Sequence, residues 1–225
     1  MTRGILIVGN ESSLFSAISA EALKRVTAFA SVSVPNRFLF PEGLRVSPPE
    51  TEASTGPLPL AWNPASPISA RTLLVAAENK LKQINNAIVI CSPPAVFKSA
   101  ETLTPEDIEI LVNDHIKGWF FLIRELILYF RRRGDGSLSL VAPEIAGGGN
   151  GKNAPADFAG PSASASFRAF ASGVLAGTGF QAMGFTSAEA DNEADFAAWL
   201  FKIIDEGAAK NSGRWHKYSR LKIFR

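Results

Sequence analysis

The side chains that build covalent frameworks and metal centres are scarce in this 225-residue chain. It contains one Cys, two His and two Tyr. A single cysteine excludes a disulfide scaffold and a thiolate zinc cluster. Two histidines and two tyrosines leave few groups that could titrate near neutral pH or transfer a proton. Any enzymatic chemistry must therefore use a very small set of residues.

Strong charge and long apolar runs are also absent. The formal net charge is +2, so we expect no nucleic-acid partner. The longest apolar stretch, residues 119–130, is interrupted by Arg124 and Glu125 and is shorter than the roughly 20 residues of a membrane span. The apolar run at residues 5–8 is too short for a secretory signal. We expect a cytoplasmic protein with no membrane partner, where Cys91 needs no second cysteine.

The composition that remains is that of a globular protein. Apolar residues make up 46% of the chain and charged residues 20%, which excludes a disordered chain. The chain is long enough to bury a sizeable core without disulfides. It shows no internal repeat, and its proline-rich stretch at residues 41–67 is too short to be a separate domain. We predict a single domain over residues 1–225.

Strand-like and helix-like segments alternate along the chain. Continuous aliphatic and β-branched runs are typical of parallel strands that are buried on both faces. The predicted strands are residues 5–8, 26–34, 58–62, 87–91, 137–141 and 180–186, and helices are predicted between them. Each parallel connection must cross over a face of the sheet. The pattern therefore predicts the α/β class, with a doubly wound, Rossmann-like parallel sheet in a three-layer sandwich.

The middle of the chain carries the clearest helix signals. Thr104 can cap a helix, and Pro105 tolerates its first position. The arginines at 131–133 suit a C-terminal end, and Gly134 can close it. We predict one long helix from residue 104 to residue 133.

Three segments resemble the short-chain dehydrogenase/reductase family. Residues 104–142 match its central helix and following strand, and this helix contains His115-Ile116-Lys117-Gly118. Residues 160–166 resemble its active-site helix down to Ser-Ala-Ser, and residues 211–215 resemble the turn before its last strand. The order of elements resembles the family over nearly the whole chain. The resemblance implies a Rossmann fold, NAD or NADP as cofactor, and oxidoreductase chemistry.

The cofactor positions depart from the family's Thr-Gly-x-x-x-Gly-x-Gly turn. This chain keeps Gly9 but has Ser13 and Phe15 at the other two glycine positions, and Phe15 would fill space that the cofactor or helix packing needs. Arg37 could favour a 2′-phosphate, although a solvated surface arginine is the more common explanation. Ser92 stands in the region of the family's Asn-Asn-Ala-Gly. The favoured interpretation is a strand–helix turn kept for packing alone, and the competing one is a site for NAD or NADP against Gly9, Asn10, Ser13, Arg37 and Ser92.

The family's four catalytic positions carry other residues in this chain. The resemblance places Pro161 at the Tyr position, Ala165 at the Lys, Pro143 or Ala142 at the Ser, and His115 at the Asn. Proline and alanine cannot transfer protons, so the family's acid–base step has no agent at these positions.

The remaining titratable residues decide between two functions. Tyr129 lies in the central helix and Tyr218 near the C-terminus, so neither replaces the missing proton donor. The favoured hypothesis is a non-catalytic binding or interaction protein, a pseudoenzyme with a Rossmann sheet. The alternative is an NAD(P)-dependent oxidoreductase with rearranged residues, in which His115 acts as acid and base.

Two further segments attract functional interpretations. Residues 147–151 are glycine-rich, but Ala146 and Asn153 break the phosphate-loop pattern, so we predict a loop over the cleft. The C-terminal basic residues are Arg214, Lys217, Arg220, Lys222 and Arg225. They could attract anions or acidic lipid, although a solvated terminus is the simpler interpretation.

Apolar residues on two helices predict a homodimer or a homotetramer. In the family, the central helix and the active-site helix pair across a twofold axis. The corresponding apolar residues are Trp119, Phe120, Ile123, Ile127, Phe167, Phe170 and Val174. Packing against the sheet explains part of this set. No small-molecule ligand is identified by the sequence.

Overall fold

Seven parallel strands form one sheet in the computed structural model, which describes residues 4–25, 28–34, 58–96, 98, 100–144, 159–177, 179–187 and 192–219. The strands are β1 Gly4–Asn10, β2 Ala28–Val34, β3 Leu58–Pro59, β4 Asn86–Ile90, β5 Ser137–Val141, β6 Gln181–Ser187 and β7 Trp215–Tyr218. Their order across the sheet is β3-β2-β1-β4-β5-β6-β7. The predicted doubly wound parallel sheet is confirmed.

Helices connect the strands and follow the predicted segments with small changes at their ends. They are α1 Ser13–Arg25, α2 Pro67–Leu81, α3 Pro105–Val112, α4 Gly118–Arg133, α5 Ala159–Gly177, α6 Glu193–Asp205 and α7 Ala208–Asn211. Helix α2 begins at Pro67 because Ser66 caps it and proline tolerates the first position of a helix.

Alternate strand residues face two apolar cores, one on each side of the sheet. Leu6 and Val8 face the core covered by α2, α4 and α5. Ile5 and Ile7 face the opposite core, which α1 and α6 cover. This alternation follows from the two-residue period of a strand and confirms the three-layer arrangement.

The prediction of one unbroken helix from residue 104 to residue 133 is wrong. A π-helical segment, Asn113–Lys117, separates α3 from α4. At its end the chain passes so close to Pro64 that a methyl group on Gly118 would lie 2.5 Å from the Pro64 Cβ atom. The wider turn also buries two consecutive polar residues, Asp114 and His115. The predicted end at Gly134 is confirmed by its left-handed φ of 75°.

Several residues expected to need cover from a second subunit are covered within the chain. Trp119, Ile123 and Phe167 are fully buried in the core under α4 and α5. Phe120 and Phe170 remain only partly buried, and their rings stack at 4.1 Å. The surface left for a partner is therefore smaller than the sequence indicates.

Candidate functional site

The carboxyl ends of β1 and β4 define the candidate site. These two strands are neighbours, and the order of strands reverses between them. In doubly wound sheets, ligands bind in the crevice at such a reversal point. Asn10 ends β1, and Ser92 lies just beyond the end of β4. Two of the predicted cofactor-binding residues thus lie side by side.

The Asn10 side chain spans this crevice and forms hydrogen bonds through both its oxygen and its nitrogen. Its Oδ1 atom accepts a hydrogen bond from the Ser92 backbone N–H at 3.0 Å. Its Nδ2 atom lies 3.3 Å from Nδ1 of His115. Because a backbone N–H can only donate, the oxygen of Asn10 must face Ser92 and its nitrogen must face His115. His115 therefore accepts at Nδ1 and carries its proton on Nε2.

The structure brings three sequence candidates, Asn10, Ser92 and His115, into one hydrogen-bonded chain. Only 2% of Asn10 and 1% of His115 is exposed. A buried imidazole whose Nδ1 accepts from an amide is positioned to hold that amide in place. In this structure His115 acts as a positioning residue for Asn10 and is enclosed by protein.

Asp114 is a buried residue that sequence reasoning missed. Its side chain has no exposed surface, and it immediately precedes His115 in the π-helical segment. Uninterrupted α-helical spacing places consecutive residues about 100° apart, so it gives no reason to expect both to be buried. The sequence contains no local signal for the wider turn that buries this pair.

The turn between β1 and α1 is filled by Phe15. A methyl group on Gly9 would lie 2.7 Å from Cδ2 of the Phe15 ring and 3.0 Å from Cβ of Ile90. The Phe15 ring therefore packs against the one glycine that the turn retains.

The start of α1 is also occupied by groups of the protein itself. The Ser12 hydroxyl accepts from the Phe15 backbone N–H at 3.1 Å, which uses one of the helix's first amides. Ser13 is exposed and donates to Oε1 of Glu193 at 2.5 Å. Glu193 and the exposed Glu11 bring negative charge towards this helix end.

These contacts do not fit a dinucleotide at this turn. Its pyrophosphate requires close approach to backbone N–H groups at the helix start, with little negative charge nearby. In this chain an aromatic ring packs against Gly9, a serine caps the first turn, and the Glu193 carboxylate lies at the helix start. The described residues of the turn therefore provide a poor cradle for NAD or NADP.

The residues predicted to stand at the family's Tyr, Lys and Ser positions lie on α5 and just beyond β5. Pro161 is half-buried and Ala165 is exposed on α5, whereas Pro143 is half-buried and Ala142 is buried just beyond β5. Their side chains can neither accept nor donate a proton.

The tyrosines and the cysteine are used for packing. Tyr129 is buried under α2, where burial raises the pKa of its hydroxyl. Tyr218 is half-buried and packs with Phe196 and Trp199. Cys91 is fully buried, and burial raises the pKa of its thiol. The expectation that this cysteine is buried is confirmed.

Some predicted features lie outside the described residues. These are Arg37, the glycine-rich run at 147–151, and the tail residues Arg220, Lys222 and Arg225. Within the described ranges, no group of three or more His, Cys, Asp and Glu side chains could hold a metal ion. No helix among them combines the length and apolar character needed to cross a membrane.

Comparison with known proteins shows a shared fold without a shared sequence. No family model and no curated protein sequence matches the chain. A short chain dehydrogenase from Bacillus anthracis matches with a TM-score of 0.73 and 12% identity, over 99% of this chain and 98% of that one. Short-chain dehydrogenases from Mycobacterium smegmatis (TM-score 0.69, 13% identity, 98% and 93% covered) and Rhodopseudomonas palustris (0.67, 14%, 97% and 100%) match similarly. The fold is therefore that of the short-chain dehydrogenases, and fold alone does not assign chemistry.

Proposed function

We propose that this protein is a short-chain-dehydrogenase-like pseudoenzyme that binds a partner or ligand without hydride transfer. The Phe15 ring over Gly9 is the observation that carries the proposal, since it covers the backbone that a pyrophosphate must approach. The non-titrating residues Pro161 and Ala165 support it, because they remove the acid–base step even if a nucleotide binds elsewhere.

Titration with the two reduced cofactors tests this function. Purified protein is titrated with NADH and with NADPH, followed by nucleotide fluorescence and by calorimetry. We expect no saturable binding at millimolar cofactor. A dehydrogenase of the same fold that binds its cofactor under the same conditions is the positive control. Saturable binding, or a crystal structure with a dinucleotide lying across Gly9 and Ser13, would contradict the proposal.

The alternative function depends on His115. The convergence of His115, Asn10 and Ser92 at the strand reversal point is the observation that favours it. An NAD(P)-dependent oxidoreductase that uses this histidine must bind its cofactor, so the same titration separates the two functions. If cofactor binds, His115→Gln should then abolish turnover.

We also propose that a second copy of the chain is a partner, forming a homodimer or a homotetramer built from it. A groove of about 510 Å³ between α4 and α5 is lined in part by Ile127 and Phe170. Small exposed residues follow α5 at every fourth position: Ala165, Ala169, Gly173 and Gly177. Such a stripe permits close approach of another helix.

Light scattering tests the homodimer, and a monomer at micromolar concentration would refute it. Ala169→Glu places a charge within the stripe and should shift the protein towards monomer. Ala20→Glu makes the same change at an exposed position of α1 and should leave the mass unchanged. Equal effects of the two variants would argue against the α4–α5 face. We further propose a cytoplasmic location, which the buried, unpaired Cys91 supports.

A further inference from the structure

A second groove lies between α2 and α4, on the outer surface of one helix layer. Its volume is about 350 Å³, which is in the size range of small-molecule sites. Leu74 is buried at its base, and Val75 and Leu128 are about half exposed. Charged residues surround this apolar surface: Arg71, Glu78, Arg124, Glu125 and Arg132.

The two carboxylates of the groove already have partners. The Tyr129 hydroxyl accepts from the Ile84 backbone N–H at 3.2 Å, so its own proton is directed to Oε1 of Glu78 at 3.2 Å. Glu125 pairs with Arg124, the preceding residue on α4. These contacts satisfy the negative charges of the groove within the protein.

Arg71 and Arg132 are the two cations of the groove that remain available. Both are exposed, and neither forms a hydrogen bond or ion pair with the residues that the structure describes. The half-exposed side chains of Val75 and Leu128 supply apolar surface in the same groove. The groove therefore combines an apolar surface with uncompensated positive charge.

The two cations lie towards opposite ends of the groove. Helices α2 and α4 both connect parallel strands, so they run in the same direction, and Glu78 lies opposite Tyr129. Arg71 lies seven residues before Glu78 on α2, or about 10 Å towards the N-terminal end of the helices. Arg132 lies three residues after Tyr129 on α4, or about 4.5 Å towards their C-terminal end. The paired carboxylates lie between these two levels.

We propose that this groove binds an elongated organic dianion, with a carboxylate or phosphate at each end of a short hydrocarbon. Arg71 holds one anionic end and Arg132 the other. The hydrocarbon lies on Val75 and Leu128. The paired Glu78 and Glu125 face the uncharged middle of the ligand. This binding is separate from the crevice at Asn10 and does not depend on the function proposed for that site.

Calorimetric and NMR titrations of the full chain with suberate test the proposal, with octanoate as a matched ligand that has the same chain length and one carboxylate. At low ionic strength, suberate should bind about threefold to fivefold more tightly than octanoate, the range of a partly exposed ion pair. Arg71→Ala and Arg132→Ala should each reduce suberate affinity to that of octanoate. Amide shifts should centre on α2 and α4.

Arg131→Ala is the control variant. Arg131 neighbours Arg132 and carries the same charge, but it contacts the Gly177 carbonyl and lines the α4–α5 groove. It should leave suberate affinity unchanged. Equal losses in Arg131→Ala and Arg132→Ala would overturn the proposal, because they indicate diffuse attraction. No suberate binding at millimolar concentration, or equal affinity for octanoate and suberate, would overturn it as well.

Discussion

The crevice at β1 and β4 and the groove between α2 and α4 treat their polar groups in opposite ways. In the crevice, the Asn10 amide oxygen hydrogen-bonds to Ser92 and its nitrogen hydrogen-bonds to His115. In the groove, Arg71 and Arg132 remain exposed without partners among the described residues. In the crevice, where this fold usually binds its ligand, the polar groups thus bind one another. The charges without a partner among the described residues lie on the outer surface of α2 and α4. A fold's customary site therefore does not locate the groups that are available for binding.

The largest effect expected in the crevice comes from Gly9→Ala. The added methyl group would overlap the Phe15 ring at 2.7 Å and press on Ile90, and overpacking of this kind costs about 1 to 3 kcal/mol. Urea unfolding measures the change in the free energy of unfolding. Gly173→Ala is the control, since nothing lies within 4 Å of its added methyl group. It should raise the free energy of unfolding by up to about 1 kcal/mol.

A double-mutant cycle identifies the Phe15 ring as the cause. Phe15→Ala removes the ring, so Gly9→Ala should cost clearly less in that background. If Gly9→Ala lowers the free energy of unfolding as much without the ring as with it, Phe15 does not fill the turn. The contrast drawn between the crevice and the groove would then be wrong for the crevice.

A loss in the same range is expected from Asn10→Ala. It removes the Asn10 amide from the partly buried Ser92 N–H and from Nδ1 of the buried His115, at a cost of about 1 to 3 kcal/mol in the free energy of unfolding. Asn10→Asp keeps an acceptor for Ser92 but loses the donor to His115. Both variants should reduce stability, and the nitrogen NMR shifts of the His115 ring should report a changed tautomer in Asn10→Asp. An unchanged ring in both variants would contradict the deduced chain of hydrogen bonds.

Much of the fold, but little of this internal bonding, could be predicted from the sequence. Strands β1 and β4 are buried on both faces, and each contains a continuous apolar run that the sequence shows directly. The Phe15 prediction was also local, since it depends on a turn of a few residues. By contrast, Asn10 and His115 are 105 positions apart. The π-helical segment lies where Gly118 meets Pro64, which is distant in sequence. Contacts of that kind leave no periodic signal.

An ion pair beyond the carboxyl end of β4 allows a pH-dependent test of internal bonding, with a smaller expected effect on stability. Lys98 hydrogen-bonds to Asp107 at 2.7 Å and, together with the Thr104 backbone N–H, holds the pKa of that carboxyl below its usual range. A carboxyl with a lowered pKa stabilises the folded state above its unfolded pKa of about 3.9, and this contribution disappears as pH falls through the lowered value.

Asp107→Asn should therefore cost up to about 1 kcal/mol at neutral pH, from the helix start and the lost ion pair. The difference from the unmodified protein should shrink as pH falls below about 4. Urea unfolding across this pH range measures it. A difference that stays constant down to acidic pH would show that the carboxylate charge at this position contributes nothing.

The smallest expected effect lies in the α2–α4 groove, where it tests whether Arg132 has a partner within the chain. Arg132→Ala should change the free energy of unfolding by no more than about 0.5 kcal/mol, because an exposed side chain without an internal partner contributes little. Arg133→Ala is the reference, since Arg133 pairs with Asp135 at 3.0 Å and lies over the Tyr129 ring. It should cost more than Arg132→Ala. If Arg132→Ala destabilises the protein as much as Arg133→Ala, then Arg132 is already engaged within the chain, and its charge is not available to a ligand.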